Sequence, residues 1–264
     1  MIEILHHDPL FIVVNKPTGV LTISTFGVPS LQTILRQQLA VETDAKPFVE
    51  PPHRLDRGTS GNLLIARTRK SLSNLSQQFH HRQVRKKYLI AVDTRSNDDA
   101  NSLASEGTFQ DWIRKIPDVS QAEVVTSEAE GAKLAVLHFR KLYGDNYRAI
   151  LEIEMQTGRM HQIRLQFASR GYPILGDKAY GSTYDWLLQG PSSIGAEEGN
   201  THAQHTALHA AHLAFRHPKD ASWVIMDAPV PTLWTEHFPS IEFGNLSRQF
   251  SKPLFDDWKD GNSG

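Results

Sequence analysis

The residues best suited to chemistry cluster in His53-Arg54-Leu55-Asp56-Arg57-Gly58-Thr59-Ser60-Gly61, which sets one carboxylate among two guanidiniums, an imidazole and two hydroxyls. The stretch is too polar and too closely bracketed by glycine for a core element. It follows Pro51-Pro52 and precedes an apolar run, so it reads as a loop presenting reactive groups on a rigid frame. An ionised Asp56 could stabilise positive charge or attack an electrophilic carbon. On residue types alone it is equally well a local ion-pair partner of Arg54 or Arg57.

Two further groups have the composition of a nucleic-acid site. Lys86-Lys87-Tyr88-Leu89 runs two cations directly into an aromatic ring, a pairing that can hold phosphate and stack a base. Taken alone, Tyr88 reads more simply as a strand-edge ring packed on the core. In Thr157-Gly158-Arg159-Met160-His161-Gln162-Ile163-Arg164, a helix from about Met160 to Ser169 would put Met160 and Arg164 on one side. Arg164 would then point inward toward a buried carboxylate, whereas an isolated arginine on a short helix is ordinarily solvated.

His202, His205, His209 and His212 are spaced by three, four and three, which on a helix would suit a zinc-dependent hydrolase. The neighbouring Leu213-Ala214-Phe215 alternates as a strand. In a strand, His202 and His212 would point opposite to His205 and His209. No Asp or Glu lies between His202 and His212 to act as a base, and no metal is expected.

These groups need a frame. Ile2–Leu5 and Leu10–Val14 read as short strands before an Asn-Lys-Pro-Thr-Gly turn at 15–19. Leu31, Ile34, Leu35 and Leu39 recur at helical spacing after Ser30. Asn62–Arg67 reads as a strand, Thr68 as the cap of a helix carrying Leu72, Leu75 and Phe79, and Lys86–Val92 as another strand. Leu134–Leu142 and Tyr147–Met155 flank a hairpin turn, and strands are expected near 207–215 and 221–226. Strands outnumber helices without a strand-helix rhythm, so the fold class expected is α+β with a largely antiparallel mixed sheet. Residues 1–240 are expected to form one domain, with an irregular acidic surface insert at 93–131, a long loop at 176–199 and a tail at 241–264.

Of 264 residues none is cysteine, which excludes disulfides, thiolate nucleophiles and Cys-ligated metal. The net charge of -1 hides polarity: nine basic residues stand against Asp56 between His53 and Tyr88, and nine acids against three cations between Asp93 and Glu130. The N-terminus has neither the basic start of a secretory signal nor an apolar stretch long enough for a membrane span. A cytoplasmic protein is expected, with no membrane and no obligate protein partner, as a monomer.

In order along the chain, NKPTG, HRLDRGTSG, KKYL, TGRMHQIR with GYPILGD, and LHAAHLAFRHP resemble the motifs of RluA-type RNA pseudouridine synthases, from Asn15 to about Pro218. The resemblance implies that Asp56 is the catalytic aspartate, Tyr88 the tyrosine that stacks on the target uracil, and Arg164 the arginine that ion-pairs the aspartate. It also implies that Arg54 fills the space left by the flipped nucleotide. Arg57, Lys86, Lys87, Arg159 and His161 are expected to bind RNA. No cofactor is implied, and a partner that is transfer RNA rather than ribosomal RNA is expected. NKPTG so near the start leaves no expected place for the separate N-terminal RNA-binding domain of many relatives. The rival to catalysis is a non-catalytic RNA-binding module, although an Asp at the centre of the most basic segment would repel phosphate.

Overall fold

A computed structural model describes residues 1–23, 28–43, 46–95, 103–186, 205–246 and Leu254. The strands are β1 (Glu3–His7), β2 (Phe11–Lys16), β3 (Ser60–Ala66), β4 (Arg85–Asp93), β5 (Glu106–Lys115), β6 (Ala122–Val125), β7 (Lys133–Gly144), β8 (Arg148–Met155), β9 (Leu208–Arg216) and β10 (Trp223–Asp227). Five α-helices accompany them: α1 (Leu31–Thr43), α2 (Arg69–His80), α3 (Gln162–Ala168), α4 (Thr232–His237) and α5 (Phe243–Leu246). All ten strands join one sheet, ordered β1-β2-β3-β9-β4-β8-β7-β5-β6, with β10 paired to β9. Among the strands of the described residues only β3 and β9 pair in parallel, so the fold is α+β with a largely antiparallel mixed sheet.

Alternation builds a core on both faces of the β2–β3 ribbon. Ile12, Val14, Leu63 and Ile65 join Leu31, Leu35 and Leu39 of α1, while Phe11, Val13, Leu64 and Ala66 join Leu75 of α2. A capping box fixes the start of α2: Thr68 accepts from the Ser71 amide, and the Ser71 hydroxyl accepts from the Thr68 amide.

Three sequence expectations change. The 93–131 segment is not an irregular insert, because β5 pairs with β7 from Glu106 to Ile113 and carries β6 on its outer edge. Its strands are held by backbone ladders and half-buried side chains, so they lack the apolar alternation that marks a strand in sequence. The helix expected from Met160 starts at Gln162, because His161 adopts a left-handed conformation (φ 51°). Met160 therefore lies outside it. Thirdly, packing runs past residue 240: Phe243 of α5 is buried against Trp234, which also meets Trp186. Residues 187–199 of the expected long loop and all of the tail beyond Leu246 except Leu254 lie outside the described residues.

The short parallel pairing of β3 with β9 brings the two halves of the sheet together. Ser60 and Gly61 sit opposite His209 and Ala210, and the Ser60 hydroxyl meets His209 Nδ1 at 2.9 Å. Gly61 has φ +106°, and a Cβ there would overlap the Ala210 backbone. Gly61→Ala should therefore cost about 3 kcal/mol through backbone strain and overlap. A thermal midpoint several degrees below the native one checks this.

Candidate active site

The Asp56 loop is tied down carbonyl by carbonyl. The Thr22 hydroxyl donates to Leu55 O at 2.8 Å, and the Thr59 amide closes a turn onto Asp56 O. Gly19 N–H donates to Arg57 O, while the Thr18 and Thr206 hydroxyls, each at 2.9 Å, donate to Gly58 O. Lys16 Nζ reaches Thr59 O at 2.7 Å, Pro17 O at 3.0 Å and Arg57 O at 3.3 Å from a fully buried position. Five consecutive peptide carbonyls thus have donors, most of them from the segment between Lys16 and Thr22. The NKPTG stretch, read in sequence as a turn, is the clamp of the Asp56 loop. Burial pushes the Lys16 ammonium down to about 7, and the charge of Asp56 opposes that shift.

His53 anchors the other end. Its ring stacks on Phe79 of α2 at 4.4 Å between centroids, and its Nε2 accepts the Leu64 amide of β3 at 3.1 Å. Glu50 has already paired with Ala66, so residues 50–53 occupy the edge of β3 where β9 is no longer paired with it. Burial first, and then the Lys86 charge, push His53 down to about 3. It stays a neutral acceptor.

Asp56 emerges from this loop with its side chain about one-third exposed (34%), less enclosed than the reading from sequence supposed. Arg164, on buried helix α3, places Nη1 3.4 Å from Asp56 Oδ2. Its stronger hold is on Asp177, with Nε and Nη2 each 2.7 Å from one carboxylate oxygen. The expected Asp56–Arg164 pair is present, but a second carboxylate aims the guanidinium. Asp177 stood in a quoted motif, and nothing in its spacing from Arg164 signalled the fork-shaped pair.

Tyr88 is buried on β4 and faces the same cleft. Burial, followed by the charge of Asp56, raises its phenol above the ordinary value, so it is a neutral hydroxyl at physiological pH. His161 Nε2 lies 3.7 Å from Asp56 Oδ2. A cleft of about 1170 Å³ joins Asp56, Tyr88 and Arg164 to Arg54, Lys86, Arg159 and His161. Burial pushes Lys86 down to about 8.

Two expected RNA contacts are elsewhere. Lys87 alternates with Lys86 and Tyr88 along β4, so it faces the other side of the sheet, fully buried and 2.8 Å from Glu152. Arg57 does not line the cleft, and its Nε donates to Gly19 O at 2.9 Å. The histidines also need correction. A bulge in the β9–β4 pairing sets His209 opposite Leu89 and His212 opposite Lys87, which puts both on one face. They serve different partners there, His209 the Ser60 hydroxyl and His212 the Asp227 carboxylate. His202 lies outside the described residues, and among those described no group of three or more His, Cys, Asp or Glu is placed to hold a metal ion.

The structure thus brings an Asp carboxylate, a facing guanidinium and a buried tyrosine together in one cation-lined cleft. A family model described as RNA pseudouridylate synthase matches residues 10–169. The chain belongs to that family. It aligns with ribosomal large subunit pseudouridine synthase D of Xylella fastidiosa at 34% identity over 234 residues, covering 87% of this chain and 66% of that protein. With the dual-specificity RNA pseudouridine synthase RluA of Pasteurella multocida it shares 30% identity over 229 residues, covering 86% and 93%. The chain thus spans from about two thirds to nearly all of the length of these relatives. The fold matches that of human RNA pseudouridylate synthase domain containing 1, with a TM-score of 0.67, 23% identity and 97% of each chain covered. This is an RluA-type catalytic domain of the isomerase class. No helix among the described residues is long and apolar enough to cross a membrane.

Asp177→Asn would leave the Arg164 charge buried with half its hold, and should destabilise the protein by about 3 kcal/mol. Denaturant titration of the variant checks this. His53 and His209, the latter pushed by burial to about 4, are both held neutral in the fold and protonate near 6.5 when unfolded. Their contribution to stability is complete above about pH 6.5 and is lost as pH falls toward 4 and 3, by up to about 1.4 kcal/mol per unit for each group. Urea midpoints at pH 7.5 and pH 5 should differ in that direction.

Proposed function

We propose that this chain converts a specific uridine of a structured RNA into pseudouridine, using Asp56 as the reacting carboxylate. The observation that carries the reading is the partly exposed Asp56 carboxylate, faced by Arg164 at 3.4 Å, in a cleft shared with Tyr88. A uridine stacked inside folded RNA hides its glycosidic bond, so the base must swing out into a pocket. The Tyr88 ring offers the stacking surface, and Arg54 at the cleft edge is suited to fill the vacated space. Lys86 and Arg159 meet the phosphates.

Breaking the N1–C1′ bond builds positive character on the sugar, which an ionised carboxylate stabilises or attacks. Arg164, fixed by Asp177, faces that carboxylate and orients it. The freed uracil turns and rejoins through C5, whose proton then leaves. The product is an isomer of the substrate, so no redox partner, energy source or metal enters the balance. Transfer RNA is the preferred substrate over ribosomal RNA, because a near-neutral chain suits a compact folded target. The protein acts in the cytoplasm as a monomer.

Tritium release from [5-³H]uridine-labelled transfer and ribosomal RNA, without added metal or nucleotide, tests the reading. The native protein should release tritium and Asp56→Asn should release none, while binding RNA at least as tightly. Release by Asp56→Asn would overturn the role of Asp56. RNA binding without release by the folded native protein would make the chain a binding module.

A further inference from the structure

Tyr180 stood in no motif singled out for chemistry, yet its hydroxyl touches a residue that faces the reacting carboxylate. It sits in the short turn Lys178–Tyr180 that follows Asp177. Its ring lies 4.9 Å from the Arg164 guanidinium. The hydroxyl meets three groups: the Ala122 amide at 3.0 Å, the Ala122 carbonyl at 3.5 Å and His161 Nδ1 at 2.9 Å. Ala122 belongs to β6, the outermost strand of the hairpin that the sequence presented as a surface insert.

One proton decides the arrangement. The Ala122 amide can only donate, so the phenol oxygen accepts from it. The phenol's own proton then goes either to His161 Nδ1 at 2.9 Å or to a carbonyl at the 3.5 Å limit of a hydrogen bond. The shorter bond makes Nδ1 an acceptor, and a neutral ring that accepts at Nδ1 carries its proton on Nε2. Burial, the largest influence, lowers the His161 pKa and keeps the ring neutral; Arg164 and Arg54 act in the same direction, and Asp56 and Asp177 oppose it. The Nε2–H is then aimed at Asp56 Oδ2, 3.7 Å away. Arg164 Nη1 faces the same oxygen. His161 holds this place from a left-handed backbone, a conformation that costs energy in a residue with a side chain.

We propose that Tyr180 is a positioning residue that fixes the His161 tautomer with its proton on Nε2, so that His161 and Arg164 together hold Oδ2 of Asp56 and leave Oδ1 to meet the nucleotide. The proposal rests on the reading of Asp56 as the reacting carboxylate. It adds a function for the β5–β6 hairpin, whose backbone orients the tyrosine.

Nitrogen-15 NMR of the labelled full chain reads the tautomer directly, with His161 signals identified by their loss in His161→Asn. The native protein should show protonated Nε2 and unprotonated Nδ1 at pH 7.5. In Tyr180→Phe both tautomers should be populated, and kcat for tritium release should fall roughly tenfold, the effect of one lost orienting hydrogen bond, with KM unchanged. His161→Gln, whose amide reaches the Nε2 position, should keep more of kcat than His161→Asn, whose amide reaches only the Nδ1 position. A native His161 protonated on Nδ1, or a tautomer unchanged in Tyr180→Phe, would overturn the proposal. So would equal kcat values in His161→Gln and His161→Asn. The tautomer is read without RNA, so an error about Asp56 appears only in the tritium assay and is told apart from an error about Tyr180.

Discussion

A polar loop can carry a reactive carboxylate only if its own backbone is held, and here that hold is the set of donors reaching the carbonyls from Leu55 to Thr59. The central one is Lys16, fully buried, with Nζ shared among three carbonyls. An exposed loop would satisfy these groups with water and move freely. Donors fixed at the end of β2 exchange that freedom for a single conformation, so Asp56 is placed before any substrate arrives. The Asp56 charge also favours the charged form of Lys16.

Around that loop, the site is assembled from elements far apart in sequence, each contributing one kind of control. Helix α3 delivers Arg164, the turn after Ile174 delivers Asp177 to aim it, and β4 delivers Tyr88 from a face that excludes Lys87. The buried Arg164–Asp177 pair favours geometry over stability, since charge removed from water repays its cost only when every donor is matched. The exposed third of Asp56 opens into the cleft that Tyr88 and Arg164 also line.

The fold was legible where periodicity was strong. β2, β3, β4, β7, β8 and β9 carry buried apolar runs, and the Thr68 cap announced α2. β5 and β6 were not legible, because half-exposed strands at the margin of the sheet are specified by partners that lie elsewhere in the chain. In the site, Asp56, Tyr88 and Arg164 were visible through their motifs. Asp177, Lys16 and Tyr180 act through bonds that depend on tertiary placement, and Lys87 was misjudged because a basic pair in a strand must split between two faces. The His209–His212 pair shows the reverse error, since a one-residue bulge defeats strict alternation.

The short parallel contact between Ser60-Gly61 and His209-Ala210 has a consequence for synthesis on the ribosome. The loop that bears Asp56 runs directly into a strand whose neighbour is made 149 residues later, and Thr206, a donor to Gly58, arrives with it. Until that late segment leaves the exit tunnel, one side of the loop has nothing to close against. A nascent chain therefore carries Asp56 without its full frame until residues 206–210 have emerged, and the loop is closed by the arrival of that one segment rather than by growth in length.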